Sequence, residues 1–203
     1  MLPNNNNPNN INPNPLLQTF QELSEINKGE QSTIINSPLE INLISNKIRL
    51  LYPGKNVIYN ILYRKSRDSD KVNIFHSKCD KIRGTLILIK TVQGYKFGGY
   101  VNENWEGDNI VKKDNTAFIF SLNYNKIYDI KNNKNAIYCN PNYGPTFCGN
   151  REATLLIKDI NEGECCMSVD SNYENYKDDY EINGGQKHFK VSELEVFKVT
   201  LVS

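Results

Sequence analysis

The side chains suited to thiol, acid–base or metal chemistry are five cysteines and two histidines: Cys79, Cys139, Cys148, Cys165, Cys166, His76 and His188. A cysteine nucleophile needs a neighbouring base, and Cys148 with His188 is a pairing that the sequence allows. A redox enzyme or peroxide scavenger would use Cys148 or Cys79, which then has to be an exposed thiol of low pKa. Neither arrangement carries a local sequence signature, so we interpret the cysteines as structural and predict no catalytic residue.

Cysteine and histidine are also the usual zinc ligands. His76 precedes Cys79 by three positions, which places both near one face of a helix. A zinc site needs further ligands at regular spacing. Cys165 and Cys166 are adjacent, which is not the spacing of a zinc ribbon or a redox dithiol. The sequence therefore predicts no metal.

Two adjacent glycines, Gly98 and Gly99, lie inside a predicted strand between Phe97 and Tyr100. A phosphate-binding loop would instead open a helix, so this pattern does not indicate a nucleotide or any other cofactor. Glycine inside a strand is typical of a bulge or of close approach by another backbone. We predict that kind of contact here.

Recognition is the other chemistry that the sequence offers. Residues 64–68 (RKSRD) concentrate charge between a predicted strand and helix, either as a turn that caps the helix or as an exposed recognition corner. Trp105, the only tryptophan, either plugs the edge of the core or anchors a partner. From these features and the polar loop after Cys148 we predict an interaction surface of five residues: Arg67, Asp68, Trp105, Asn150 and Arg151.

Two helices and many strands have to position these side chains. Ser37, Pro38 and Glu40 form a capping box at the start of the first helix, which ends before Pro53. The second helix is predicted from Asp70 to Cys79. Strands are predicted at residues 33–35, 57–62, 85–89, 95–101, 117–122, 126–130, 136–139, 154–157 and 194–202. This order predicts an α+β fold, an antiparallel β-sandwich of two sheets with flanking helices.

Length and composition fit one domain and a tail. Of the 203 residues, 24 are Lys or Arg and 23 are Asp or Glu, so no net field attracts nucleic acid. Residues 1–15 contain eight Asn and four Pro and are predicted to be a disordered tail, residues 16–32 a linker or short helix, and residues 33–203 the domain. With no secretory signal and no long apolar run, we expect a cytoplasmic monomer with free thiols and no integral membrane segment.

The order of short motifs resembles the TLDc domain family. The motifs are ILYRKSRD (61–68), FHSKCD (75–80), GTLILIK (84–90), FGGY (97–100), AFIFSL (117–122), AIY (136–138), GPTF (144–147) and LEVF (194–197). They cover about residues 33–203 in the family's order, and the chain resembles the stand-alone TLDc proteins of protists. The family often has a Gly-rich run after GPTF, where this chain has residues 148–152.

The resemblance implies a β-sandwich with flanking helices and a link to protection against oxidative stress. It implies a protein partner, the vacuolar proton-pumping ATPase being the named candidate, and hence a location at vacuolar or lysosomal membranes. The family brings no accepted catalytic mechanism, so the resemblance implies a non-catalytic interaction module. A thiol-based redox enzyme or peroxide scavenger and a redox-sensing scaffold stay open as alternatives at this point.

Overall fold

The computed structural model describes residues 31–148, 153–165, 172–174 and 180–203. The predicted tail, most of the predicted linker and the site residues Asn150 and Arg151 lie outside this part of the chain. The helices are α1 (Pro38–Leu51), α2 (Lys65–Asp68), α3 (Val72–Cys79) and the 3-10 helix Glu181–Asn183. The strands are β1 (Asn56–Arg64), β2 (Thr85–Thr91), β3 (Lys96–Val101), β4 (Ile110–Lys113), β5 (Phe118–Ser121), β6 (Lys126–Asp129), β7 (Asn135–Cys139), β8 (Thr146–Cys148), β9 (Ala153–Ile157), β10 (Glu162–Cys165) and β11 (His188–Val202).

The strands form two antiparallel sheets. Sheet A has the order β1-β11-β2-β3-β5-β6, and sheet B has the order β4-β7-β8-β9-β10. The long strand β11 joins them, because residues 188–190 pair with β10 while Val191 and the residues after it pair with β2. Every strand pair in the described residues is antiparallel. The predicted α+β sandwich is confirmed.

The central strands of sheet A, β2, β3 and β5, are buried on both faces, which explains the continuous apolar run of β2. Ile87 and Ile89 belong to the cluster that fills the space between the sheets. Leu86 and Leu88 alternate with them and belong to the cluster shared with α1. The result is three layers, with α1 on sheet A and sheet A on sheet B.

The start of α1 follows the local sequence. The Ser37 hydroxyl accepts the backbone N–H of Glu40, and Pro38 occupies the first turn. The Glu40 carboxylate accepts the N–H of Asn36 at 2.7 Å, one residue before the position expected for a capping box. The buried face of the helix is Ile41, Ile44, Ser45 and Ile48.

The glycine pair of β3 makes the close approaches that its position predicts. A Cβ atom on Gly99 would lie 2.5 Å from the ring of Phe147, so a side chain here would displace sheet B. A Cβ atom on Gly98 would lie 1.9 Å from the carbonyl oxygen of Ile87 on the adjacent strand. Both positions therefore need glycine, because a side chain at either would clash with its neighbours.

Several predicted boundaries are wrong. Residues 33–35 are not a strand, because their backbone N–H groups bond to side chains. The Glu195 carboxylate accepts the N–H of Thr33, and the Ser32 hydroxyl accepts those of Ile34 and Ile35. The second helix begins at Val72, and residues 65–68 form the separate turn α2. Three short strands were not predicted, namely β4, β8 and β10, and β11 begins six residues before the predicted start.

Candidate functional site

The charged segment of residues 64–68 folds onto a buried carboxylate on β11. Glu195 is 0% exposed, and its side chain accepts a hydrogen bond from Arg64 Nε at 2.8 Å. It also accepts the backbone N–H of Thr33 at 2.9 Å and the hydroxyl of Ser32 at 2.5 Å. We call this set, Ser32, Thr33, Arg64 and Glu195, the Arg64 corner. It fastens the start of the described chain to sheet A.

The rest of the segment is also bonded within the protein. Lys65 Nζ donates to the carbonyl of Val191 at 2.5 Å, and the N–H of Ser66 donates to the buried Glu193 at 3.2 Å. The Asp68 carboxylate, at the end of α2, accepts the backbone N–H of Arg64 at 2.9 Å. This bond satisfies the N–H of the residue that precedes the helix. The interpretation of residues 64–68 as a structural turn is therefore supported by the hydrogen bonds that they make.

Arg67 and Asp68 are the predicted surface residues in this turn. Arg67 Nη2 lies 2.7 Å from Asp68 Oδ2, and Lys78 Nζ lies 3.2 Å from Asp68 Oδ1. Burial raises the pKa of Asp68, but the hydrogen bonds from Arg67, Arg64 and Lys78 outweigh it and lower the pKa to about 2. Arg67 is exposed, whereas only 10% of the Asp68 side chain is exposed, and the structure brings these two predicted residues into direct contact.

The prediction of Trp105 as a surface contact is wrong. Its indole is 1% exposed and packs between the rings of Phe75, at 6.1 Å, and Phe147, at 5.6 Å. The indole N–H donates to the hydroxyl of Thr85 at 3.0 Å, so the polar atom is satisfied inside the sandwich. Trp105 is the plug at the core edge that the alternative interpretation described.

A surface cleft of about 490 Å³ lies along the end of α3, and we call it the α3 cleft. It is lined by Asn73, His76, Ser77, Lys78, Asp80, Lys81, Ile82 and Glu106. His76 Nδ1 lies 2.6 Å from Asp80 Oδ1, and His76 Nε2 lies 2.9 Å from the carbonyl oxygen of Tyr143. The Tyr143 carbonyl belongs to the loop between β7 and β8, so the imidazole joins α3 to sheet B.

An imidazole paired with a carboxylate is half of a general-base arrangement, but the cleft does not complete it. The second ring nitrogen, which would take a proton from a nucleophile, already faces the Tyr143 carbonyl. The hydroxyl of Ser77 donates to the carbonyl of Ile74 at 2.8 Å instead of to His76. None of the residues that line the cleft is a cysteine. The geometry indicates a tether between elements more than a reaction centre.

The three cysteines that the structure describes with side chains are buried: Cys79, Cys139 and Cys148. Burial raises the pKa of Cys139 to about 11 and that of Cys148 to about 12, and it raises the pKa of Cys79 well above the usual range. Cys148 and His188 are not neighbours, because β9 and β10 lie between their strands. Neither Cys79 nor Cys148 is the exposed, low-pKa thiol that a redox enzyme requires.

The described part of the chain contains neither a candidate metal cluster nor a membrane-spanning helix. No group of three or more His, Cys, Asp or Glu side chains in that part of the chain could hold a metal ion. None of its helices is long and apolar enough to cross a membrane.

Sequence reasoning missed the buried carboxylates and the tether. Glu193 and Glu195 sit in an apolar strand, which is a signal for a buried ion pair because carboxylates are seldom fully buried without a partner. His76 and Asp80 are four residues apart at the end of a helix, which is the spacing for a side-chain pair. The Tyr143 carbonyl leaves no sequence signal, since it is a backbone group.

The comparisons with known proteins give one family. The family model described as TLDc domain matches residues 29–200, which is most of the chain. No curated protein matches the chain in the second comparison.

Proposed function

The chain belongs to the TLDc domain family, as its motif order predicted, and from this membership we propose that it is a non-catalytic interaction module of the oxidation-resistance type. Its contribution to protection against oxidative stress is then made through a protein partner. We further propose that the partner is the vacuolar proton-pumping ATPase, and that the module works on the cytoplasmic side of vacuolar or lysosomal membranes.

Two observations support the proposal that binding, and not catalysis, is the activity. The described thiols are buried with raised pKa values, so at neutral pH they are protonated and out of reach of a peroxide. The imidazole in the α3 cleft is occupied at both nitrogens. These features favour an interaction module over the thiol enzyme and over a scaffold that senses oxidation through Cys79, Cys139 or Cys148.

We propose that the contact surface includes Arg67 and Asp68, together with Asn150 and Arg151. Arg67 is exposed and held by Asp68 and by the Leu62 carbonyl, so it is presented at little further cost in side-chain entropy.

The partner is tested by affinity capture. The purified chain, immobilised at one end, is incubated with solubilised vacuolar or lysosomal membranes of the source organism, and ATPase subunits are identified by mass spectrometry. We expect recovery of subunits by the wild type and at least about tenfold less by Arg67→Ala and by Arg151→Ala. Arg83→Ala is the matched control, since Arg83 is an exposed arginine elsewhere on the surface. Recovery of no subunit by the wild type contradicts the partner.

The absence of thiol chemistry is tested on the same protein. Hydrogen peroxide consumption by the purified chain should be no faster per thiol than that by free cysteine at pH 7.4. Alkylation of Cys79, Cys139 and Cys148 should require denaturant, with the modified positions read by peptide mass spectrometry. Peroxide consumption well above that of free cysteine would instead establish the redox-enzyme alternative.

A further inference from the structure

The side of α1 that points away from sheet A is apolar. Leu39 and Leu50 lie on it and are 77% and 76% exposed, more than any other large apolar side chain that the structure describes. Leu50 follows Leu39 by about three helical turns, and the partly buried Leu43 lies between them on the same side. We call these three residues the leucine stripe.

The other side of α1 is apolar as well. Ile41, Ile44 and Ile48 are buried against sheet A, and helical periodicity places the leucine stripe opposite them. A single exposed leucine needs no explanation, but aligned leucines form a continuous apolar strip. A helix that is apolar on opposite sides is typically covered on both. The stripe therefore indicates a further layer over α1, outside the three layers of the fold.

The sequence that precedes the described residues carries the signals of a helix of matching length. Asn14 and Pro15 are residue types favoured at the N-cap and at the first helical position, and Gly29 is the type favoured just after a helix ends. Apolar side chains recur between them at helical spacing: Leu16, Phe20 and Leu23. As a helix, residues 15–28 would equal α1 in length, at 14 residues or about 21 Å.

The structure fixes the point at which this segment joins the domain. The carbonyl of Gln31 accepts a hydrogen bond from Arg64 Nη2, and the hydroxyl of Ser32 donates to Glu195 at 2.5 Å. Ser32 and Ile41, which lies near the start of α1, line the same small apolar cavity. The segment therefore meets the domain beside the first turns of α1. Helices joined by a short connection of this kind pack antiparallel to each other.

We propose that residues 15–28 form a helix that packs antiparallel on the outer side of α1 and covers the leucine stripe. Leu23 then lies beside Leu39, and Leu16 lies beside Leu50. Because the segment is tethered next to the stripe, its effective concentration there is far higher than that of a free partner or of a second copy of the chain. The contact is a property of the folded chain and does not depend on the proposed partner.

Substitutions on the two sides of the contact test it independently. The double variant Leu39→Gln/Leu50→Gln makes the stripe polar, and because both side chains are exposed it leaves the buried side of α1 intact. Phe20→Gln makes the matching change in the segment. Val92→Gln is the matched control, because Val92 is also an exposed apolar residue, at 64%, but lies in the turn between β2 and β3.

The experiment measures amide hydrogen exchange in the full chain by mass spectrometry of its peptides, at a low and a high protein concentration. In the wild type, we expect the amides of residues 15–28 to exchange at least about tenfold more slowly than those of an unfolded peptide of the same sequence. The protection should be equal at both concentrations. It should be lost in Leu39→Gln/Leu50→Gln and in Phe20→Gln, and kept in Val92→Gln.

Three outcomes would overturn the proposal. The first is exchange of residues 15–28 in the wild type at the rate of an unfolded peptide. The second is protection that survives the substitution of the leucine stripe. The third is protection found only at the high concentration, together with a dimer in sedimentation, which would make a second copy the occupant. Exchange of β2 and β11 in the same samples shows whether each variant is folded, and Phe20→Gln decides the matter if the double variant is not.

Discussion

The Arg64 corner and the α3 cleft both join distant parts of the chain through a carboxylate, but they differ in how many protons the contact requires. In the corner, Glu195 accepts from an arginine, a backbone amide and hydroxyl groups, and none of these donors is lost at physiological pH. In the cleft, His76 faces two acceptors and needs a second proton to satisfy both. The first contact is made by donors that always carry their protons, and the second depends on how many protons the ring carries.

The carboxylates of the two regions also differ in burial. The Glu195 side chain is 0% exposed, whereas that of Asp80 is 27% exposed. A charge can be taken wholly out of water only where its partners are always present, because an unpaired buried charge costs several kcal/mol. Asp80, whose partner is an imidazole, stays partly in contact with water. The donor set therefore decides how far a carboxylate can be buried.

Glu195→Gln should break the permanent fastening and have the largest effect. The amide keeps acceptor capacity but leaves the Arg64 guanidinium without its counter-charge in a buried place. We expect a loss of about 3–5 kcal/mol in the free energy of unfolding, measured by urea denaturation.

Glu103→Gln is the control for this measurement. It breaks a pair with Arg83, whose side chain is 56% exposed, and should cost less than about 1 kcal/mol. Similar losses in the two variants would show that the corner is no stronger than a surface ion pair.

Phe75→Ala tests the apolar support of the cleft. Phe75 anchors α3 between Tyr63 and Trp105, at ring-centroid distances of 6.1 Å to each. The variant should lose about 3–4 kcal/mol through the cavity that it leaves. Because Trp105 is the only tryptophan, its emission should shift to longer wavelength in folded Phe75→Ala and stay unchanged in folded Glu195→Gln. Equal emission spectra in the two variants would mean that tryptophan emission does not distinguish the surroundings of Phe75 from the Arg64 corner.

Asp68→Asn tests the outer part of the charged turn through its acid response. The pKa of Asp68 in the folded protein is about 2 against an ordinary value of 3.8, so its ionised form stabilises the fold above about pH 4. This contribution, about 1–2 kcal/mol, is lost as the pH falls toward 2. In Asp68→Asn it should be absent at pH 7, and the dependence of stability on pH between 4 and 2 should be correspondingly flatter. The free energy of unfolding is measured by urea denaturation at each pH. If it depended on pH between 4 and 2 as strongly in Asp68→Asn as in the wild type, the low pKa would not belong to Asp68.

Local patterns were enough to predict the elements that local sequence determines. Ser37 and Pro38 predicted the start of α1, the unbroken apolar run predicted β2 as a strand buried on both faces, and the glycine pair predicted a close approach within β3. The strands that were missed are short and owe their conformation to partners. In β10, for example, Gly163 is required because a Cβ atom there would lie 2.2 Å from the Phe189 ring.

The sites could not be predicted for a related reason, because their contacts join residues that are far apart in the chain. Glu195 is bonded to Ser32 and Arg64, which are 163 and 131 residues away in the chain, and the Tyr143 carbonyl is 67 residues from His76. Helical spacing predicts the pair of His76 and Asp80 but not the third group that gives the pair its proton requirement. A backbone carbonyl has the same chemistry at every residue, so only the fold identifies which one is used.

The smallest effect is expected for His76→Gln. Glutamine supplies one amide group in place of the two ring nitrogens of histidine. The variant should lose about 1 kcal/mol in the free energy of unfolding, because one amide group does not reproduce both contacts of the ring, to Asp80 and to the Tyr143 carbonyl.

The size of that loss is what separates the contact of His76 from the Arg64 corner. Urea denaturation of the wild type, His76→Gln and Glu195→Gln at one pH measures it, with His188→Gln as the control. A loss in His76→Gln as large as that in Glu195→Gln would mean that the two regions contribute equally to stability, and the contrast between them would then disappear.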